Sequence, residues 1–232
     1  MASNLITLEG LRLLAPARPV TSGRPVTVRA SLRPRTAAPI RATWDWEDGE
    51  NDMDELPGGK LVYARHSHRY ASPGVYRVLV RIDGAPALPT QGSVRFVTVR
   101  RTGQVGASGW VRDDDARVRV PFGFLITRGT TPEDHGLELR YLLGDTEVRS
   151  GQLGWLFADG PDALHFGGSA SYGGGPPLHP FRVDVHAIPA SRGRVGQQVA
   201  INLYAPDGVP GRDSPMHRIS GAVRPGRVEL RD

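Results

Sequence analysis

The sequence predicts an all-β protein built from two β-sandwich domains, and three observations carry that prediction. Gly and Pro are dense, 29 and 20 in a chain of 232 residues, so nearly every window long enough for three helical turns is interrupted. Apolar and polar residues alternate with period two in one segment after another, the pattern of strands with one buried face. Cysteine is absent, so the fold rests on apolar burial without disulfides, and thiolate metal sites and a cysteine nucleophile are excluded. No apolar run approaches the ~18 residues of a membrane-spanning helix. The start, Met1-Ala2-Ser3-Asn4-Leu5, lacks the basic-then-apolar pattern of a signal peptide, so neither membrane insertion nor signal-directed export is expected.

Taken in order, Leu5 to Leu14 is apolar enough for a first strand and runs into a turn region at Pro16, Pro19 and Pro25. Val26 to Ser31, Val75 to Ile82 and Val94 to Arg100 place apolar side chains on one face and Arg or Thr on the other, which predicts half-buried antiparallel strands. Further strands are expected at Arg117 to Phe124, Leu137 to Leu143, Gln152 to Phe157, Phe181 to Ile188 and Val199 to Tyr204. A junction falls at Arg100-Arg101-Thr102-Gly103, giving domains 1–102 and 103–232. The charge balance changes there: residues 1–102 carry 15 Arg/Lys against 9 Asp/Glu, and residues 103–232 carry 14 against 15. The basic excess falls on alternating strand positions such as Arg29, Arg33, Arg35, Arg77 and Arg81, with no interleaved aromatics. That pattern fits solvated sheet faces, and nucleic-acid binding is not expected.

Two segments carry the most information in the first domain. Trp44-Asp45-Trp46-Glu47-Asp48-Gly49 is an aromatic strand ending in an acidic turn, and His68-Arg69-Tyr70-Ala71-Ser72-Pro73-Gly74-Val75-Tyr76 is a Pro-Gly turn opening a long alternating strand. Large aromatics of this kind plug the space between two sheets. We assign the Trp44/Trp46 and Tyr70/Tyr76 pairs to the fold, one aromatic of each pair facing inward. In order, spacing and residue type, the two segments resemble the polycystic kidney disease (PKD) type of immunoglobulin-like domain over about residues 15 to 100. The chain departs from that pattern at Glu47, where a small residue, often Gly, is common, and in an acidic insertion reaching Glu55. The resemblance implies a seven-strand sandwich that serves as a spacer or contact module without catalysis.

From Gly103 onward the markers are Gly109-Trp110, Phe122-Gly123-Phe124, Gly136-Leu137, a strand pair flanking Gly144-Asp145, Phe166-Gly167-Gly168 and Phe181-Arg182-Val183-Asp184-Val185. This layout is similar to the glycine-rich β domain that follows PKD or hyalin-type repeats in some bacterial surface proteins, and it implies architecture more than activity. A jelly-roll-like sandwich is expected, with the strand Phe and Trp residues in its core and the glycines at bulges and tight turns.

The run Asp45, Glu47, Asp48, Glu50, Asp52, Asp54, Glu55 is the best metal candidate, because Ca2+ takes six to eight hard oxygen ligands. Asp48, Glu50, Asp52 and Asp54 are the residues expected to hold it. The run does not follow the EF-hand pattern, since Met53 and Gly59 stand where the glycine and the bidentate acid belong. Asp113-Asp114-Asp115 is a second, weaker candidate, and a solvated acidic hairpin is the alternative for the first. His66 and His68 would share a strand face and could share a metal, but an orienting role for His68 at a turn is preferred; His135, His165, His179, His186 and His217 are scattered and read as structural. No Gly-x-Ser-x-Gly elbow, P-loop or dinucleotide fingerprint is present. No enzyme is expected, and no cofactor beyond the Ca2+ candidate.

These readings point to a non-enzymatic structural or interaction protein, foremost a surface-decorating subunit of a larger assembly such as a phage virion. It would bind a capsid or tail and could self-associate as a homo-oligomer. The alternative is a bacterial cell-surface adhesin or carbohydrate-binding accessory module, where exposed aromatics such as Trp155 or Tyr172 would stack on sugar rings. The expected location is accordingly a virion surface or the extracellular space.

Overall fold

The computed structural model describes residues 8–16, 18–83, 93–112, 119–129, 135–160, 163–189 and 195–224. The Asp113–Asp115 triplet and the first residues of the expected N-terminal strand lie outside them. Strand content dominates, as the alternating pattern requires. Eight strands form the first unit: β1 (Leu8–Leu14), β2 (Val20–Thr21), β3 (Pro25–Pro34), β4 (Ile40–Asp45), β5 (Asn51–Leu56), β6 (Val62–Arg69), β7 (Gly74–Ile82) and β8 (Val94–Arg100). They make a three-stranded sheet, β1-β3-β6, facing a five-stranded sheet, β2-β8-β7-β4-β5. The expected seven-strand sandwich thus gains a two-residue strand, β2, which pairs parallel with β8. The acidic insertion is itself a strand, β5, laid antiparallel on β4 from Ile40↔Leu56 to Asp45↔Asn51.

Between these sheets lie Val26, Val28, Leu32, Trp44, Trp46, Tyr70, Val78, Val80, Val97 and Val99, all buried. Trp44 and Trp46 are both fully buried and stack 6.0 Å apart, which corrects the expectation that one of the pair faces out. The reason is the strand period: residues two apart share a face. Tyr70 is buried and stacks at 3.9 Å on half-buried Tyr76.

The second unit has eight strands: β9 (Gln104–Arg112), β10 (Arg119–Thr127), β11 (Gly136–Leu143), β12 (Thr146–Asp159), β13 (Ala163–Tyr172), β14 (Gly175–Pro189), β15 (Val195–Leu203) and β16 (His217–Arg224). Each pairs antiparallel with its chain neighbour, and β16 returns to β9 through Val223↔Val111 and Arg224↔Trp110, closing a barrel. Where a jelly-roll-like sandwich was expected, the all-β domain is therefore a closed meander. Short turns at Gly144-Asp145 and Gly173-Gly174 join sequential strands, whereas a jelly roll needs long crossings between two sheets. Register shifts between Ser150 and Gln152 and between Leu153 and Trp155 mark bulges in the long strand β12, and bulges supply the bending that closure demands. Phe122, Phe124, Leu139, Tyr141, Phe166, Phe181, Val183, Val185 and Leu203 fill the interior, as expected for eight strands, whose lumen is about one side-chain layer wide.

A third apolar cluster joins the two units. Val75, Val94 and Phe96 from β7 and β8 bury against Leu125 and Leu142 of the barrel. Strand β8, expected to be half-buried, is therefore buried along both faces from Val94 to Val99. Val97 and Val99 enter the sandwich core, while Phe96 and Thr98 meet the barrel. The approach is close because Gly123 of β10 carries no side chain: a Cβ there would lie 2.6 Å from Val75 Cγ1 and 3.1 Å from Phe96 Cβ.

Candidate functional site

The acidic segment is the first place to look for chemistry. Alternation on β5 turns Asp52 and Asp54 toward the neighbouring sheet edge and leaves Met53 and Glu55 in solvent. There the indole N–H of Trp46 donates to Asp52 Oδ2 at 2.9 Å and that of Trp44 donates to Asp54 Oδ2 at 3.0 Å. Across the sheet gap His66 lies 2.8 Å from Asp54 and 3.5 Å from Asp52, and His68 lies 2.5 Å from Asp48 and 3.6 Å from exposed Glu50. The two imidazoles pack on the two indoles, both with ring centroids 4.9 Å apart. The four residues proposed for Ca2+ thus form a ladder with Trp and His partners along the open edge between β5 and β6. Ca2+ would have to displace these hydrogen bonds to gather the oxygens it needs. His68 ties its strand to the Asp48 turn, the orienting role read from the sequence.

The second constellation sits at the junction of sandwich and barrel. Arg140 of β11, 3% exposed at its side chain, donates through Nη2 to Glu47 Oε1 at 2.6 Å and through Nη1 to Glu47 Oε2 at 2.5 Å. It also donates to the Val75 carbonyl at 2.8 Å and, through Nε, to Glu147 Oε1 at 2.6 Å. Glu47 Oε2 accepts the Arg77 backbone N–H at 2.7 Å, and Arg77 Nη1 reaches Glu147 at 3.4 Å. Two arginines and two glutamates therefore alternate across the interface. Burial alone would raise the Glu47 carboxyl above its ordinary value, but the hydrogen bonds from Arg140 and Arg77 prevail and lower it. For Arg140 burial likewise opposes the charge, and its two glutamate partners more than restore it. The paired bidentate geometry suits a structural clamp. A cleft of about 590 Å³ opens beside it, lined by Glu47, Arg77, Arg140, Glu147 and Arg149 among others, and the charges along its wall are already matched.

The third constellation lies on the outer face of the barrel. Phe166, Val183 and Val185 point inward, so their strand neighbours His165, Arg182, Asp184 and His186 point out. Leu156 packs toward the core, which turns Trp155 and Phe157 outward at 39% and 59% exposure. Trp155 is paired with Gly167 across β12 and β13, and a Cβ on Gly167 would lie 2.7 Å from the indole. The indole thus rests against bare backbone. Arg182 sits 6.0 Å from the indole centroid and holds both Asp184 oxygens from Nε at 2.9 Å. Burial would raise Asp184, but Arg182 first and His165 second lower it below the usual carboxylate value. The expectation that strand aromatics are all core fails for Trp155 and Phe157. Tyr172, proposed with Trp155 as a sugar platform, instead packs half-buried beside the barrel core and His179.

Sequence reasoning missed Phe157 and the polar row on β14. The alternation Phe181-Arg182-Val183-Asp184-Val185-His186 did signal one polar face, but only register brings His165 opposite Asp184.

Among the described residues, none of the three constellations sets an activated nucleophile beside a base and an oxyanion site; each ties strands or domains together. The fold of the first unit is an immunoglobulin-like sandwich, a class of general surface and interaction modules, and it is joined to a closed β-barrel. Residues 10–102 match the PKD domain family, and that part of the chain is a PKD domain. No curated protein and no solved structure gives a significant match to the chain.

Proposed function

We propose that the protein is a non-enzymatic interaction subunit that decorates the surface of a larger assembly, such as a phage virion, with the PKD domain and the barrel acting together. The observation that carries this reading is the junction. An apolar seam and a clamp in which half-buried Glu47 and Glu147 hold the buried Arg140 join the two units, which is what a spacer or decorating subunit needs to hold a binding face at a set position. The polar groups at the centre of the molecule serve cohesion. A division into domains 1–102 and 103–232 is supported by the change of sheet between β8 and β9. The interior of the barrel is filled by apolar side chains while Arg182, Asp184 and His186 lie on its outer face, the inverse of a membrane-spanning barrel with a polar lumen, which favours an aqueous location at a virion surface or outside the cell.

A second reading, an adhesin or carbohydrate-binding accessory module, is favoured by one observation: the indole of Trp155 and the ring of Phe157 stand exposed on one strand face beside hydrogen-bonding side chains. Aromatic rings of this kind stack on apolar faces of ligands. Light scattering on the purified chain, with proteomics of particles released from its source, separates the two. A fixed stoichiometry on a particle supports decoration and capsid or tail binding. Absence from every particle, with retention on glycan that Trp155→Ala abolishes, would overturn decoration in favour of the second reading.

A further inference from the structure

We propose that His165, Asp184 and His186 form a binding site for a divalent transition-metal ion of the Zn2+ type on the outer face of the barrel. The site is made by register. His165 on β13 stands directly across from Asp184 on β14, and His186 lies two residues further along the same strand, so all three side chains share one face. One ligand atom from each residue lies within 4.8 Å of the other two. His165 Nδ1 and Asp184 Oδ1 are 2.6 Å apart, and the two imidazoles meet edge to face with centroids separated by 4.9 Å.

Tetrahedral Zn2+ with bonds of about 2.0–2.1 Å spaces its ligand atoms about 3.4 Å apart. To reach that spacing His165 Nδ1 and Asp184 Oδ1, now 2.6 Å apart, must separate as the ion takes the place of their hydrogen bond, and the exposed His186 ring must turn toward them. Two imidazoles with one carboxylate select a borderline ion over Ca2+ or Mg2+, which prefer oxygen donors. Arg182 bonds both oxygens of Asp184. It keeps the group a carboxylate and aims it, the part that outer-shell partners play at metal sites. On ion binding one oxygen turns to the metal while Arg182 retains the other. Phe157, stacked at 6.1 Å beside His165, walls one flank. The remaining coordination position opens to solvent, for water or for a donor from a bound partner.

The test is isothermal titration of Zn2+ into the full-length, tag-free chain in the presence of millimolar Ca2+, with imidazole 1H–15N NMR spectra recorded on the same sample. The expected result is one saturable equivalent, with ring resonances of His165 and His186 shifting. His165→Ala, Asp184→Asn and His186→Ala should each weaken binding at least about tenfold. A His66→Ala/His68→Ala double variant should bind as the unchanged chain does. Absence of a saturable equivalent would overturn the site, as would binding that survives at His165→Ala and disappears in the His66/His68 variant. The NMR readout on the unmodified chain decides the matter even where a variant is unstable.

Discussion

Glu47 has φ of +64°, the left-handed region that L side chains avoid. The family pattern commonly places glycine at this position, which would adopt that conformation without strain. Here the strain is held in place by four contacts: two with Arg140, one with the Arg77 backbone N–H and one with the Arg77 guanidinium. Glu47→Gly should therefore relieve about 1 kcal/mol of backbone strain yet take from the buried Arg140 one of its two half-buried glutamate partners, a loss bounded by the roughly 3–5 kcal/mol of breaking a fully buried pair. We expect a net loss of at most about 2–4 kcal/mol in urea unfolding, and an unchanged midpoint would contradict the clamp. Its charge also predicts a pH dependence. The carboxyl is lowered in the folded protein from its ordinary 4.5, so its stabilisation is full above that value and is lost as pH falls through the lower folded value. Thermal midpoints of the native chain and of Glu47→Gln should converge on acidification below about pH 4.5. Parallel curves would show that the pair carries no such linkage.

Among the elements, β8 differs most from its sequence pattern. Val-Arg-Phe-Val-Thr-Val-Arg reads as one wet face and one dry face, yet the Thr98 hydroxyl donates to the Ala107 carbonyl at 2.6 Å and Phe96 packs against the barrel. Gly123→Val would force an isopropyl group into Val75 and Phe96. Overpacking of this kind costs about 1–3 kcal/mol, and here it should fall on the seam between the units. The expected outcome in calorimetry is one cooperative transition for the native chain and two resolved transitions for the variant; a single transition in both would place the seam outside the cooperative unit. On β13, Gly167→Ala should lift the Trp155 indole of β12 from the sheet. A red shift and stronger quenching by acrylamide would report it, while unaltered Trp emission would show that the indole does not rest on that backbone.

In the whole molecule, a sandwich and a barrel of opposite construction are joined through a seam that is apolar at Val75, Val94, Phe96, Leu125 and Leu142 and charged at Glu47, Arg140 and Glu147. A decorating or adhesive role would use this coupling, because a load or partner on the barrel is then passed to the PKD domain. Limited proteolysis offers a check at this scale. Cleavage between Arg100 and Gln104 should be slow in the native chain and accelerate when Arg140→Ala removes the clamp. Equal rates would show that the junction opens independently of it.

Much of this was legible in the residues. Period-two alternation places Val26, Val28, Val78, Val80, Phe122, Phe124, Val183 and Val185 in cores, because a strand sends successive side chains to opposite faces whatever surrounds it. The aromatic and Pro-Gly segments identify the PKD domain for the same local reason. Closure of the barrel was not legible, since pairing of β16 with β9 joins ends more than a hundred residues apart and leaves no local mark. Nor was the fate of Asp48, Glu50, Asp52 and Asp54, whose partners His66 and His68 come from the facing sheet. The sequence by itself determined which segments are strands, which faces are apolar and which domain family the first hundred residues resemble. Only the tertiary structure decided which polar groups meet: Glu47 with Arg140, His165 with Asp184, Trp155 with Gly167. Those contacts depend on register and on the approach of separate sheets, and both are set by packing across the whole chain.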